Sequence, residues 1–282
     1  MIWEKMMKKL IYKNEEPIIE EIQKGEVLYL SYPMLERTGI VKHGFSTRIG
    51  GVSQGIFSSM NLSFSRGDLD EHVTENFRRM ASAIGVEEEM LVKSVQTHTT
   101  NVHCVTEGNR KEVLHDVDGL ITNVPGVCLV TSYADCVPLF FVDPVKKVIG
   151  LSHSGWRGTV GKIGQVTIEK MVAEYGTNPR DVIAAIGPSI CQDCYEVSGD
   201  VILEFQKGFH EKHWSSLFYQ KENGKYQLNL WKANEIVLLE AGVKKENLAI
   251  TNVCTNCNPE VLFSHRASKG QRGGMAAFMA LK

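Results

Sequence analysis

Residues Asp135–Gly158 read Asp-Cys-Val-Pro-Leu-Phe-Phe-Val-Asp-Pro-Val-Lys-Lys-Val-Ile-Gly-Leu-Ser-His-Ser-Gly-Trp-Arg-Gly. Two apolar runs, Val137–Val142 and Val148–Ser152, flank Asp143-Pro144, where proline's fixed φ and missing N–H end the first run. Two such runs around a turn predict an antiparallel hairpin, whose outer ends lie side by side. Those ends carry Asp135 and Cys136 before the first strand and His153 after the second. The hairpin therefore predicts a thiol, an imidazole and a carboxylate meeting at one end of a sheet. Gly155-Trp156-Arg157-Gly158 then leads into a helix. Functional side chains gather at such strand ends because the scaffold beneath them is rigid.

Outward from this hairpin, strand-like runs are expected at Glu26–Tyr32, Ile40–Ser46, Leu91–Val95, Val102–Val105, Gly119–Thr122, Cys128–Ser132, Val182–Ile186, Leu248–Asn252 and Met275–Leu281. Asp70–Ile84 predicts a helix with Val73, Phe77, Met80 and Ile84 on one face and Gly85 ending it. Further helices are expected at Thr159–Tyr175 with Gly176 beyond it, at Ser198–Phe209 and at Asn229–Ala241. The order lacks a regular βαβα alternation, so it predicts a mixed layered fold and not a plain doubly wound sheet. Neither a repeat nor a low-complexity linker divides the chain, which reads as one domain over 1–282, with residues 1–39 as an N-terminal extension whose first 24 residues are polar.

The 282 residues are 43% hydrophobic and 23% charged, enough for a sizeable core, and the formal net charge is −2. That balance gives no electrostatic case for nucleic acid or an anionic membrane. The sequence has no run of eighteen apolar residues, and Met1–Lys9 lacks the apolar stretch of a signal peptide. A cytoplasmic location is the expectation, with the seven cysteines as thiols or ligands and not disulfides.

Gln96-Thr97-His98 follows the Leu91–Val95 run and supplies a second strand-end imidazole. His98, Cys136 and His153 taken singly read as a loop residue and two packed side chains. Together, two imidazoles and a thiolate form a known zinc set with water in the fourth position. The rival reading of the same hairpin is a metal-free cysteine hydrolase, an amidase with Cys136 as nucleophile and His153 as base. Cys191-Gln-Asp-Cys194 and Cys254-Thr-Asn-Cys257 are two C-x-x-C units, but the interval between them far exceeds the roughly 15–20 residues of a zinc ribbon. They read as reduced cysteines in neighbouring loops, with a structural zinc or a redox pair as the other readings. A zinc-stabilised interaction module built on them is the non-enzymatic alternative. Ser46-Thr47-Arg48-Ile49-Gly50-Gly51-Val52-Ser53 offers hydroxyls, N–H groups and a guanidinium suited to phosphate or ribose, and Arg266 in Ser264-His265-Arg266 is a second anion candidate. A copper oxidase with a trinuclear centre needs His-x-His units, and none occurs.

His43-Gly44-Phe45-Ser46-Thr47-Arg48-Ile49-Gly50-Gly51-Val52-Ser53, Gln96-Thr97-His98, Ala134–Leu139, His153–Gly158, Ile186–Ile190 with Cys194–Val197, and Phe263–Arg266 together resemble the ordered motifs of the laccase-domain, or YfiH-like, family. Thr99 stands where the family usually has glycine, and Arg272 is followed by Gly273-Gly274 where the family has Gly-Arg before its last strand. The resemblance implies an α+β fold, a four-layer α/β/β/α sandwich with mixed sheets. It implies one zinc on His98, Cys136 and His153, with copper possible. It also implies a purine nucleoside phosphorylase acting on adenosine, inosine, guanosine and methylthioadenosine, with adenosine deaminase activity; polyphenol oxidation is the secondary label. On this reading Asp135 is the proton-carrying carboxylate, Arg48 and Arg266 clamp phosphate, and the partners are small molecules, with the chain a monomer or homodimer.

Overall fold

The computed structural model describes residues 10–16 and 18–282; the reading of Met1–Lys9 lies outside them. Two sheets form the centre. The first has seven strands in the order Glu20–Lys24, Val27–Ser31, Val41–Ser46, Met275–Leu281, Cys128–Tyr133, Leu91–Val95 and Leu114–His115. The second has six, in the order Leu248–Ile250, Ile183–Ile186, Val137–Asp143, Val148–Ser154, Gly119–Thr122 and Val102–Cys104. Both mix parallel and antiparallel pairs.

Period-two alternation decides how the layers stack, because successive side chains leave a strand on opposite faces. In the second sheet Phe140 and Val142 join the core between the sheets, while Leu139 and Phe141 point the other way. In the first sheet Leu129 and Met279 face inward, and Val130 and Phe278 face outward. The outward set of the first sheet packs on Val73, Phe77, Met80 and Ile84 of the helix Asp70–Ile84. The outward set of the second packs on the helices Ile163–Tyr175, Gly199–Gly208 and Leu230–Glu240. The result is the four-layer α/β/β/α sandwich. Each fully buried Phe or Leu in its three apolar layers contributes about 1.5–3 kcal/mol.

Three differences from the expected elements have local causes. The expected helix Thr159–Tyr175 is two helices, Trp156–Val160 and Ile163–Tyr175, because Lys162 takes a left-handed φ of 59°. Gly161 beside it approaches Thr100 so closely that a Cβ would lie 2.6 Å from Thr100 Cγ2. The polar segment before residue 25 holds the strand Glu20–Lys24, which pairs with Val27–Ser31 across Gly25 at φ 57°. Much of the expected extension is therefore built into the sandwich: Leu10, Ile19, Leu30 and Leu35 are buried in the inter-sheet core. Finally, a three-stranded sheet of Glu196–Val197, Tyr226–Leu228 and Phe218–Gln220 lies in a region read only as helix and loop.

The hairpin forms as read. Asp143 Oδ1 accepts from the N–H groups of Val145 (2.9 Å) and Lys146 (3.0 Å), closing the turn with its own side chain. The register pairs Asp143 with Val148 at the turn and runs through Pro138 with His153 to Val137 with Ser154 at the open end.

Candidate active site

Beyond the Val137–Ser154 pair, the two chains leave the sheet as Cys136 on one side and Gly155 on the other. Ser154 Oγ donates to Asn234 Oδ1 (2.9 Å) and lies 2.8 Å from Thr159 Oγ1, whose hydroxyl bonds the Gly155 carbonyl (2.9 Å). This buried network fixes the turn from strand into helix Trp156–Val160.

His98 arrives from the other sheet. Gln96 accepts from the Ser132 N–H (2.6 Å) and donates to the Ser132 carbonyl (3.0 Å), so a side chain extends the pairing of the two strands. The chain then turns sharply around one carboxylate. Asp118, fully buried, accepts from the N–H groups of Thr97 (3.0 Å), His98 (3.1 Å) and Thr99 (3.0 Å), and from Thr99 Oγ1 (3.1 Å). Thr99 thus adds a hydroxyl to this cradle. His98 takes a left-handed φ of 66° there. The same carboxylate accepts from His153 Nδ1 (2.8 Å), and the Asp118 carbonyl accepts the His153 N–H (2.7 Å). One residue therefore orients both imidazoles.

The outcome is that the ligand atoms of His98, Cys136 and His153 all lie within 4.8 Å of one another. Gly155 makes this possible: a Cβ there would stand 2.7 Å from His98 Nδ1 and 3.2 Å from Cys136 Sγ. Burial resists charge on His153, but the Cys136 sulfur and the Asp118 carboxylate outweigh it and raise its pKa to about 9. Burial likewise opposes ionisation of Asp118, yet the bonds from His153, Thr99 and Thr97 hold its carboxyl at about 2. Loss of solvent on its packed side, together with His153, lowers the pKa of His98.

These residues fit a metal ion. The donors are two imidazoles and one thiol. Asp118 fixes the Nδ1–H tautomer of His153 and so leaves Nε2 as its ligand atom, the arrangement in which a carboxylate orients a metal-binding histidine. The trio forms part of the wall of a cleft of ≈ 720 Å³, so a fourth position faces open space.

The other lining residues of the cleft bear on the anion question. Arg66, Lys93, Arg110, Lys111 and Arg272 bring five cations to it, with Phe64 as an aromatic surface. Arg272 is the most distinctive. Its Nε is buried without a hydrogen-bond partner, and burial, aided by Arg66, lowers its pKa to about 10.

Three of the expected site residues lie outside the lining of this cleft. Arg48 does not line the cleft; its Nε and Nη1 bond the carbonyls of Ser58 (2.8 Å) and Pro259 (2.7 Å), and its guanidinium lies 4.6 Å over the Phe263 ring. Arg266 also lies outside the lining, its Nη2 bonding the Glu196 carbonyl (3.0 Å). Asp135 was expected to carry protons. It is buried, outside the lining, and both of its oxygens are taken: Oδ1 by the Thr255 hydroxyl (2.6 Å) and Oδ2 by the Arg266 N–H (2.7 Å). With φ at 86°, Asp135 fixes the turn that delivers Cys136.

Sequence reasoning missed Asp118 and Arg272. The signal for Asp118 was its position one residue before the strand Gly119–Thr122, the same kind of strand-end setting that singled out Cys136. The four cysteines of the C-x-x-C units, read as loop thiols near one another, do lie together, their sulfurs all within 4.8 Å.

The family described as multi-copper polyphenol oxidoreductase laccase matches residues 42–282, and the chain belongs to this laccase-domain family. A Bacillus subtilis protein named purine nucleoside phosphorylase YlmD is 35% identical over 246 residues, covering 85% of this chain and 88% of that protein. A Bacteroides thetaiotaomicron protein named purine nucleoside phosphorylase is 37% identical, covering 84% and 90%. The crystal structure of YlmD from Geobacillus stearothermophilus superposes with a TM-score of 0.87 at 32% identity, over 94% of this chain and 99% of that one.

Proposed function

We propose that the chain is a zinc-dependent purine nucleoside phosphorylase that cleaves the N-glycosidic bond of adenosine, inosine, guanosine and methylthioadenosine with phosphate, and that it also deaminates adenosine. The observation that carries this reading is the company Arg272 keeps. A partly desolvated guanidinium with an unpaired buried Nε lines the same cleft as His98, Cys136 and His153. An enzyme of this kind must bring a phosphate dianion and a heterocyclic base together, and this cleft holds cations and an aromatic surface beside a metal-binding trio. The relatives named purine nucleoside phosphorylase support the same substrate class.

In the reaction a phosphate oxygen bonds to ribose C1′ as the C1′–N9 bond breaks, and the purine leaves with the bonding pair. Arg272 and Arg66 are assigned to the phosphate, in place of Arg48 and Arg266. Paired guanidiniums suit planar, forked recognition of phosphate oxygens. Phe64, stacked on Phe77 at 5.8 Å between centroids, offers a face for the base. Zinc, when bound on His98, Cys136 and His153, supplies Lewis acidity toward the departing or attacked purine. Asp118 holds His153 in its ligating tautomer, and Asp135 holds the Cys136 turn through Thr255 and Arg266.

The test is product analysis of zinc-loaded protein with adenosine, with and without phosphate. Phosphate-dependent release of adenine and ribose 1-phosphate is expected, with inosine as the minor product. Inosine alone, formed at the same rate without phosphate, would remove the phosphorylase reading.

One observation favours a second reading. Asp118, His153 and Cys136 are arranged in sequence, as a nucleophile, its base and the group that orients the base would be. A cysteine hydrolase built on them keeps its activity after chelation; the proposed phosphorylase does not.

A further inference from the structure

The two C-x-x-C units are separated in sequence, Cys257 lying 63 positions after Cys194, and topology closes that distance. The strands Ile183–Ile186 and Leu248–Ile250 are parallel neighbours, with Ile186 opposite Ile250. Parallel neighbours release their chains at the same end of the sheet. Cys191 comes five residues after Ile186, and Cys254 four after Ile250. The two departing segments stay paired: Thr251 N–H bonds the Ile186 carbonyl (3.0 Å), Ser189 bridges Cys254, and Thr255 N–H bonds the Ser189 carbonyl (3.1 Å). Each pair then closes a tight turn, with Cys194 N–H on the Cys191 carbonyl (3.1 Å) and Asn258 Nδ2 on the Cys254 carbonyl (2.8 Å).

We propose that Cys191, Cys194, Cys254 and Cys257 form a second, structural metal site that holds one zinc ion as a tetrathiolate, distinct from the site of His98, Cys136 and His153. The sulfurs all lie within 4.8 Å of one another, and Cys194 Sγ is 3.5 Å from Cys257 Sγ. A regular tetrahedron with zinc–sulfur bonds of about 2.3 Å has sulfur–sulfur edges of roughly 3.8 Å, which falls inside that range. All four cysteines are free thiols, and Cys191 and Cys254 are buried. The Cys191 N–H already points at Cys254 Sγ (3.2 Å), the kind of bond that stabilises a thiolate bound to metal. Zinc enters as the divalent ion and the thiols release four protons, leaving a centre of net charge −2. Lys13, paired with Asp193 at 3.1 Å inside the first turn, places a cation beside it.

The site has a structural task in the fold. Thr255, within the second turn, donates to Asp135, and the Ile190 N–H bonds the Asp135 carbonyl (3.0 Å). The backbone that the four thiols gather is thus the backbone that holds the turn before Cys136.

The experiment counts metal. The full chain and three variants are purified without oxygen, loaded with zinc, desalted and analysed for zinc per chain. Two equivalents are expected in the parent, one in Cys136→Ala and one in Cys194→Ser/Cys257→Ser. Cobalt(II) loaded into Cys136→Ala should give the intense visible bands and sulfur-to-metal charge transfer of a tetrathiolate. Those bands should disappear in the triple variant Cys136→Ala/Cys194→Ser/Cys257→Ser. The cobalt spectrum of Cys136→Ala decides the matter even where the serine variants do not fold. A Cys136→Ala chain that takes up no zinc and gives no such spectrum would overturn the proposal. So would disulfides among the four cysteines found by mass in the oxygen-free parent.

Discussion

His153 Nδ1 meets Asp118 Oδ1 at 2.8 Å, and the same aspartate receives three successive backbone N–H groups from the Thr97–Thr99 turn. This single buried carboxylate therefore sets the ring of one candidate ligand histidine, His153, and the main chain of the other, His98. Asp118→Asn keeps the shape but offers an amide where His153 needs an acceptor. Zinc affinity at the His98–Cys136–His153 site should fall roughly 10–100-fold, as for other carboxylates that orient a metal-bound histidine. Competition with a chromophoric chelator measures it.

Gly155 lies where its neighbours leave no room for a Cβ. Gly155→Ala places a methyl against His98 Nδ1 and Cys136 Sγ, but its φ of −69° suits any residue. The variant is expected to fold, by circular dichroism and thermal unfolding, and to lose the zinc bound by His98, Cys136 and His153. A variant that binds this zinc normally would show that His98 and Cys136 have room for the added methyl while holding the ion.

Arg272 and Arg48 should separate in kinetics. A hydrogen bond to a charged group contributes about 1.5–3 kcal/mol, so Arg272→Met should lower kcat/KM for phosphate roughly 10–100-fold. Arg48→Met should leave the KM for phosphate unchanged. It should lower stability by roughly 1–3 kcal/mol, because the carbonyls of Ser58 and Pro259 lose their donors. Steady-state rates against phosphate concentration, with denaturant unfolding of both variants, check the contrast.

The pH dependence of metal uptake follows from His153. In the metal-free chain its pKa is raised from 6.5 to about 9, so it is protonated at neutral pH and must give up that proton to bind zinc. Zinc affinity should therefore rise with pH up to about 9. The stability that His153 gives the metal-free chain has the opposite sign: it is fully present below 6.5 and is lost as pH rises through about 9. Zinc titrations and thermal unfolding of metal-free protein across this range test both slopes.

Much of this was legible along the chain because it depended on local pattern. The hairpin around Asp143-Pro144 placed Cys136 beside His153, and the spacing of Val73, Phe77, Met80 and Ile84 marked the face by which their helix packs. What escaped was set by contacts between distant segments. Asp118 is 35 positions from His153, and a lone aspartate before a strand carries no mark of the three N–H groups it will receive. Arg48 and Arg266 stood in glycine- and serine-rich loops that suit anions, but backbone carbonyls claim their guanidiniums. Arg272, to which no role was assigned from the sequence, lines the cleft instead. The C-x-x-C units came together through a parallel strand pairing that sequence spacing does not reveal.

The central claim is that His98, Cys136 and His153 grip one metal ion on which turnover depends. The most direct measurement is zinc content and adenosine turnover of His98→Ala beside the parent, each after zinc loading and desalting. The account predicts one fewer zinc per chain and loss of phosphate-dependent adenine release. A His98→Ala chain lacking that zinc yet turning over adenosine at the parental rate would contradict it.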